Sequence, residues 1–169
     1  DSLLGAEKHL VDCVVTNARG VHGTLMADYV LAAIGALQWR WHLLGERQAE
    51  RRWQQFMTDP LAGKRLTLVG TGAIGQAIAQ RALAAGIVVT GVARRDTTPR
   101  LGFERIVPAA QFHEALADAD FVVLAIPATG ETAGMFDAAA FAAMKPGASL
   151  INVARGDVIV EADLIAALR

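Results

Sequence analysis

Three groups of residues in this chain have the types and spacing to do chemistry. The first is Gly70-Thr71-Gly72-Ala73-Ile74-Gly75, a G-x-G-x-x-G run. It follows the apolar stretch Leu66–Val69, which suits a buried strand, and opens a helical stretch running to about Ala85. Gly86 marks a helix stop, and Ile87–Val92 reads as a second strand. In that setting Gly70 permits the sharp turn, Gly72 lets a pyrophosphate approach the backbone, and Gly75 lets the helix pack on the strand. The N–H groups at the helix start would point at the anion. The competing reading is a glycine-rich turn in some other α/β protein.

The second group is Ala93-Arg94-Arg95, at the end of the second strand. A dinucleotide site selective for NAD carries Asp or Glu there for the ribose 2′-hydroxyl. Here no carboxylate stands ready to repel a 2′-phosphate, and two guanidinium groups can bind one. A charge-assisted hydrogen bond contributes roughly 1.5–3 kcal/mol, so two of them would favour NADP over NAD by about a hundredfold or more. Against this stands a reading in which both arginines are solvated and Asp96 takes the ribose. The third group is Arg155, in the run Asn152-Val153-Ala154-Arg155-Gly156 at the end of another apolar stretch. A guanidinium in that place can bind a carboxylate bidentately and orient an α-keto acid for hydride attack. The same residue could instead pair with Asp157 or Glu161, and the residue types leave the two readings even.

These residues need a framework that gathers strand ends. From residue 65 onward apolar strands alternate with helices: Phe103–Val107, Phe121–Ile126 and Ser149–Val153 complete five strands, with helices over Phe112–Leu116, Phe136–Met144 and from Glu161. This predicts an α/β fold, a doubly wound parallel sheet whose ligands bind at the carboxyl ends of the strands. Before it, Val11–Thr16 reads as a strand and Asn17–Gly23 as a loop. A helix capped by Thr24 runs to about Leu44 and is apolar on more than one face. Its Trp39 and Trp41 either anchor an interface or fill a core. Gly45–Trp53 reads as a charged helical segment with a solvated face.

Composition narrows the function classes. The chain has 169 residues, 53% of them hydrophobic, with a formal net charge of −1. That suits one domain, or one domain and part of another, with a real core and no global attraction to nucleic acid or acidic membranes. The longest apolar run, near Leu25–Leu37, is too short to span a bilayer and contains Asp28. The single cysteine, Cys13, rules out an internal disulfide; it reads as a small core residue in a cytoplasmic protein, and no stretch reads as a signal peptide. No metal-ligand pattern stands out.

The runs LAGKRLTLVGTGAIGQAIA, ADFVVLAIPATGETAGMF and MKPGASLINVARGDVIVEADLIAAL together resemble the D-isomer-specific 2-hydroxyacid dehydrogenases. The run VVTNARGVHGTLMADYVLA is similar to the family's crossing segment between substrate and cofactor domains. The resemblance implies a Rossmann-like domain over 24–169, with a dimerisation helix and arm at 24–60 and a core at 65–169. Residues 1–23 would be a remnant of the substrate domain and crossing segment. It implies that Gly70, Gly72 and Gly75, with the backbone of Ala73 and Ile74, hold the pyrophosphate. Ala93 replaces the family's aspartate, and Arg94 and Arg95 look like the arginines of NADPH-using glyoxylate and hydroxypyruvate reductases. Ile126, Pro127 and Thr132 would lie along the cofactor. Met26, Val153 and Ala154 would lie near the nicotinamide, and Arg155 would be the catalytic arginine that binds the substrate. NADP(H) is the favoured cofactor, with NAD(H) the alternative.

The resemblance further implies a homodimer through the helix at 24–44, consistent with an interface role for Trp39, Trp41 and Trp53. The family's general acid is a histidine paired with a glutamate. None of His9, His22, His42 or His113 matches it, and both are expected beyond Arg169. The substrate-binding glycine loop is expected before Asp1, and a last strand of the cofactor domain after the end. On this reading the chain is a central fragment that binds a dinucleotide and turns over poorly. The alternatives are a non-catalytic dinucleotide-binding module and, more remotely, a β-hydroxyacid dehydrogenase, which lacks the NVARG run.

Overall fold

The computed structural model describes residues 14, 16 and 20–169. His9, Cys13 and most of the Val11–Thr16 strand expected from the sequence lie outside the described residues. Five strands, β1 (Arg65–Val69), β2 (Val88–Ala93), β3 (Arg105–Pro108), β4 (Phe121–Leu124) and β5 (Ser149–Asn152), form one all-parallel sheet in the order β3-β2-β1-β4-β5. The chain winds outward from β1 to β3, then returns to place β4 on the other side of β1. The order therefore reverses between β1 and β4, the place where such sheets open a crevice.

The period of two in each strand divides the apolar residues between two layers. Leu66, Leu68, Phe121, Val123 and Val89 face α1 (Gly23–Gln38) and α3 (Ala73–Ala84), packing with Val30, Ile34 and Ile78. Val69, Val92, Val122 and Leu124 face α4 (Phe112–Ala117) and α5 (Ala138–Ala143), packing with Phe112, Leu116 and Phe136. Thr67 is the polar exception inside β1, and its hydroxyl donates to the Ala115 carbonyl oxygen. A last helix, α6 (Glu161–Ala167), follows β5. No helix among the described residues is long and apolar enough to cross a membrane.

Several boundaries differ from the sequence reading. The helix expected to reach Leu44 stops at Gln38, because Trp39 and Arg40 close it with N–H bonds to the Gly35 and Leu37 carbonyls and Arg40 turns left-handed at φ 50°. A second helix, α2 (Trp41–Ala49), restarts there, so the charged segment is helical only to Ala49. Thr24 does not cap α1; His22 holds that position without a side-chain bond. Helix α5 begins at Ala138 rather than Phe136, since Asp137 caps it by accepting from the Ala140 N–H at 3.0 Å. Phe136 instead forms a parallel bridge with Ile159 and is fully buried, edge-on to Phe112 and Phe141. The tryptophans of the arm are not core residues in the single chain: Trp39, Trp41 and Trp53 are 48%, 57% and 91% exposed.

Candidate functional site

Four strand ends lie side by side at one edge of the sheet. Gly70 N–H bonds the Val92 carbonyl at 3.0 Å, Ala125 N–H the Val69 carbonyl at 2.8 Å, and Val153 N–H the Leu124 carbonyl at 3.1 Å. These bonds bring the Ala93, Gly70, Ile126 and Val153 neighbourhoods, distant in sequence, onto a common rim. The topology thus collects every candidate from the glycine turn, the second strand, the fourth strand and the NVARG run.

The glycine turn is shaped by backbone crowding. Gly70 has φ 107°, and a Cβ there would meet the Ala125 carbonyl oxygen at 2.5 Å and Ile126 Cγ2 at 2.9 Å. A Cβ on Gly75 would collide with the Gly70 carbonyl oxygen. At Gly72 the same position opens on empty space, with nothing within 4 Å. Helix α3 starts directly after it, with no side-chain cap and no acidic residue in its first turn. The first intrahelical bond runs from Gln76 N–H to the Gly72 carbonyl, so the N–H groups of Ala73, Ile74 and Gly75 face outward unpaired by the helix. An open cradle with unpaired N–H groups and, among the described residues, no acidic side chain in the helix's first turn fits a pyrophosphate.

Helix α1 starts beside α3. Gly23 is buried, and a Cβ there would lie 3.5 Å from the Ala73 carbonyl oxygen. The two helices then run alongside each other and are tied by Asp28 to Arg81 at 2.7 Å. This sets Met26, half-buried in the first turn of α1, and the exposed His22 at the same end of the molecule as the glycine turn. His22 is the histidine whose neighbourhood the sequence reading missed. Only the packing of α1 on α3 reveals it.

Charge gathers at the end of β2. Ala93 is buried, and its side chain offers no acceptor. Arg94 Nη1 donates to Glu131 Oε2 at 2.8 Å, and that bond, with the charge behind it and a smaller contribution from Arg95, holds the Glu131 carboxyl below its usual pKa. Arg95 is exposed and has no hydrogen-bond or ion-pair partner among the described residues. Asp96 accepts from the Thr98 N–H at 3.0 Å and from Arg100 Nη2. The Thr98 hydroxyl and N–H, then Arg100, pull its pKa down to about 2. Arg100 also donates Nη1 to the Thr71 carbonyl at 2.6 Å, reaching back into the glycine turn. Arg94, Arg95 and Asp96 are expected at this strand end from the sequence; Arg100 and Glu131 are not, because the contacts of Arg100 with Thr71 and of Glu131 with Arg94 are made by long-range folding.

On the other side of the crevice, Thr132 ties the loop after β4 into a knot. Its hydroxyl donates to the Pro127 carbonyl at 2.7 Å and accepts from the Thr129 N–H at 2.8 Å. At the end of β5, Asn152 grips the backbone around Arg155, its Nδ2 donating to the Arg155 carbonyl and its Oδ1 accepting from the Ala154 N–H, both at 2.9 Å. Arg155 is exposed, and among the described residues its Nη1 bonds only the neighbouring Ala154 carbonyl at 3.2 Å. It pairs with neither Asp157 nor Glu161. The partnership that would have made it purely structural is therefore not formed.

Comparison with known proteins agrees with this geometry. The family model for the D-isomer specific 2-hydroxyacid dehydrogenase, NAD binding domain, matches residues 31–169. A D-lactate dehydrogenase of Staphylococcus aureus is 32% identical over 167 residues, covering 96% of this chain and 49% of the relative. A D-3-phosphoglycerate dehydrogenase of Bacillus subtilis is 36% identical over 169 residues, covering 96% and 31%. The chain thus spans half or less of the length of these curated relatives. An NADPH-dependent glyoxylate/hydroxypyruvate reductase from Sinorhizobium meliloti, solved in complex with NADP and sulfate, superimposes with a TM-score of 0.80 at 28% identity, covering 86% of this chain and 47% of that one. The parallel sheet with its glycine turn, and a family model that takes in most of the sequence, lead to one assignment: the chain belongs to the D-isomer specific 2-hydroxyacid dehydrogenase family, of which it carries the NAD-binding domain.

Proposed function

We propose that this chain is the cofactor-binding part of an NADPH-dependent reductase of small 2-keto acids of the glyoxylate or hydroxypyruvate type. The observation that carries the cofactor preference is the end of β2, where a buried Ala93 stands in the acidic position and Arg94, Arg95 and Arg100 gather around it. The likeness to a reductase solved with NADP supports the same reading. Gly70, Gly72 and Gly75 with the N–H groups of Ala73 and Ile74 would hold the pyrophosphate. Ile126, Pro127 and Thr132 would flank the dinucleotide, and Met26, Val153 and Ala154 would border the nicotinamide. When bound, the reduced nicotinamide supplies a hydride. Arg155, without a carboxylate partner among the described residues, would pair with the substrate carboxylate and orient its keto carbonyl. Calorimetric titration with NADPH and NADH tests the preference. We expect NADPH to bind at least tenfold more tightly, and equal affinities would refute it.

We also propose that residues 24–60 form a dimerisation helix and arm ahead of the core at 65–169. Tyr29, Trp39, Trp41, Trp53 and Met57 are all exposed in the single chain. A hollow of about 640 Å³ lies between Trp39, Leu44, Trp53 and Phe56. Large aromatics exposed together are the usual anchors of interfaces. Sedimentation equilibrium should return twice the 17.9 kDa chain mass, and a monomer at micromolar concentration would refute the dimer.

A further inference from the structure

Glu131 and Arg94 meet across the crevice. Arg94 follows β2, Glu131 follows β4, and β1 with its glycine turn lies between those strands. The contact joins residues 37 apart in sequence, and both side chains are about two-thirds exposed. It is held from the Glu131 side by the Thr132 knot, which fixes the turn carrying the carboxylate to Pro127 and Thr129. A second carboxylate, Asp96, occupies Arg100, whose other nitrogen is spent on the Thr71 carbonyl. Of the three guanidinium groups at this strand end, two already carry an acidic partner.

We infer that Glu131 is a cofactor-specificity residue, a carboxylate counter-ion that competes with the ligand's 2′-phosphate for Arg94 and so limits the preference for NADPH. This rests on the reading above, in which the adenosine ribose of a dinucleotide lies at the end of β2. A phosphomonoester carries close to two negative charges near neutral pH. To reach Arg94 it must displace the Glu131 carboxylate and then remain beside it. A ligand with a 2′-hydroxyl has neither requirement and can leave the ion pair closed. The discrimination at this site is thus set by a difference, with two arginines pulling the phosphate in and Glu131 opposing it from the neighbouring loop.

The test is calorimetric titration of the full chain, wild type and Glu131→Gln, with NADPH and NADH. An exposed ion pair of this kind corresponds to an effect of about two- to fivefold. We expect Glu131→Gln to tighten NADPH by at least that much while NADH changes by less than about twofold. Glu131→Lys should tighten NADPH further, by about tenfold or more, because it adds a donor where the acid stood. Equal shifts for both cofactors, or no shift in either, would overturn the inference. Arg94→Ala separates it from the reading beneath it. Loss of NADPH preference in Arg94→Ala, together with an unresponsive Glu131→Gln, sinks the role of Glu131 alone. Wild-type chain that binds both cofactors equally, with Arg94→Ala neutral, sinks the NADPH reading itself and Glu131 with it.

Discussion

The glycine turn and the arginine cluster occupy neighbouring strand ends but are held by different physics. At the turn the determinants are backbone atoms in contact: Gly75 against the Gly70 carbonyl, Gly70 against Ala125, and α3 starting at once. Nothing there can move without moving the sheet. At the arginine cluster the determinants are long side chains in ion pairs, the exposed Arg94 with Glu131 and the part-buried Arg100 with the exposed Asp96. Exposed pairs contribute about 0–1 kcal/mol each and exchange partners readily. On the proposed reading the turn would be a fixed socket for what all dinucleotides share, and the cluster an adjustable reader of what distinguishes them.

That contrast can be broken at its strongest point first. Gly75→Val drives side-chain atoms into a backbone carbonyl and should destabilise the fold by about 3 kcal/mol, with NADPH and NADH binding lost together. Urea unfolding and calorimetry measure both. If Gly75→Val binds normally, the socket is not rigid. The double change Arg94→Ala/Arg95→Ala should do the opposite. We expect NADPH to weaken by about ten- to a hundredfold while the unfolding free energy stays within about 0.5 kcal/mol of wild type.

Asn152 sits between these extremes, a side chain that serves a backbone segment. Asn152→Ala should cost about 1 kcal/mol and speed hydrogen exchange at the Ala154 N–H, since that bond is lost and the Arg155 loop loosens. Unchanged exchange would mean that the loop holds its shape without Asn152.

The smallest effect sharpens the contrast from the far end of β4. Asp120 is only partly exposed, accepting from Lys145 Nζ at 2.6 Å and from the Arg65 N–H at 2.7 Å. Partial burial pushes its pKa up, but those hydrogen bonds and the nearby lysine charges outweigh it and leave the carboxyl below its ordinary value. A depressed folded pKa stabilises above the unfolded value, about 3.9, and that stabilisation fades as pH falls through the folded value. Asp120→Asn should therefore lower stability at pH 7 and flatten its decline below about pH 4. An unaltered acid profile would place this pair with the exposed, dispensable ones.

Much of the framework was legible because its signals are local. A period of two in apolar strands, a glycine pattern between strand and helix, and proline or glycine at the exits identify β1 to β5 and the turn within a residue or two. Local signals failed where partners come from far away. Nothing near Phe136 announces its bridge to Ile159, and nothing near Arg40 announces that an apolar helix will break there. The contacts of Arg100 with Thr71 and of Arg94 with Glu131 span 29 and 37 residues. They exist only because the strand order sets β2, β1 and β4 side by side.

Residue types and their spacing by themselves determined that this chain builds a parallel α/β sheet with a glycine turn between its first strand and the helix after it, and that its second strand ends in cations rather than an acid. These follow from sterics and polarity acting over a few residues. Tertiary structure alone decided which arginines are paired among the described residues, that Asn152 holds the Arg155 segment, and that His22 lies at the same end as the glycine turn. Side-chain partnership depends on distances across the fold, and those are set by strand order rather than by neighbours in the chain.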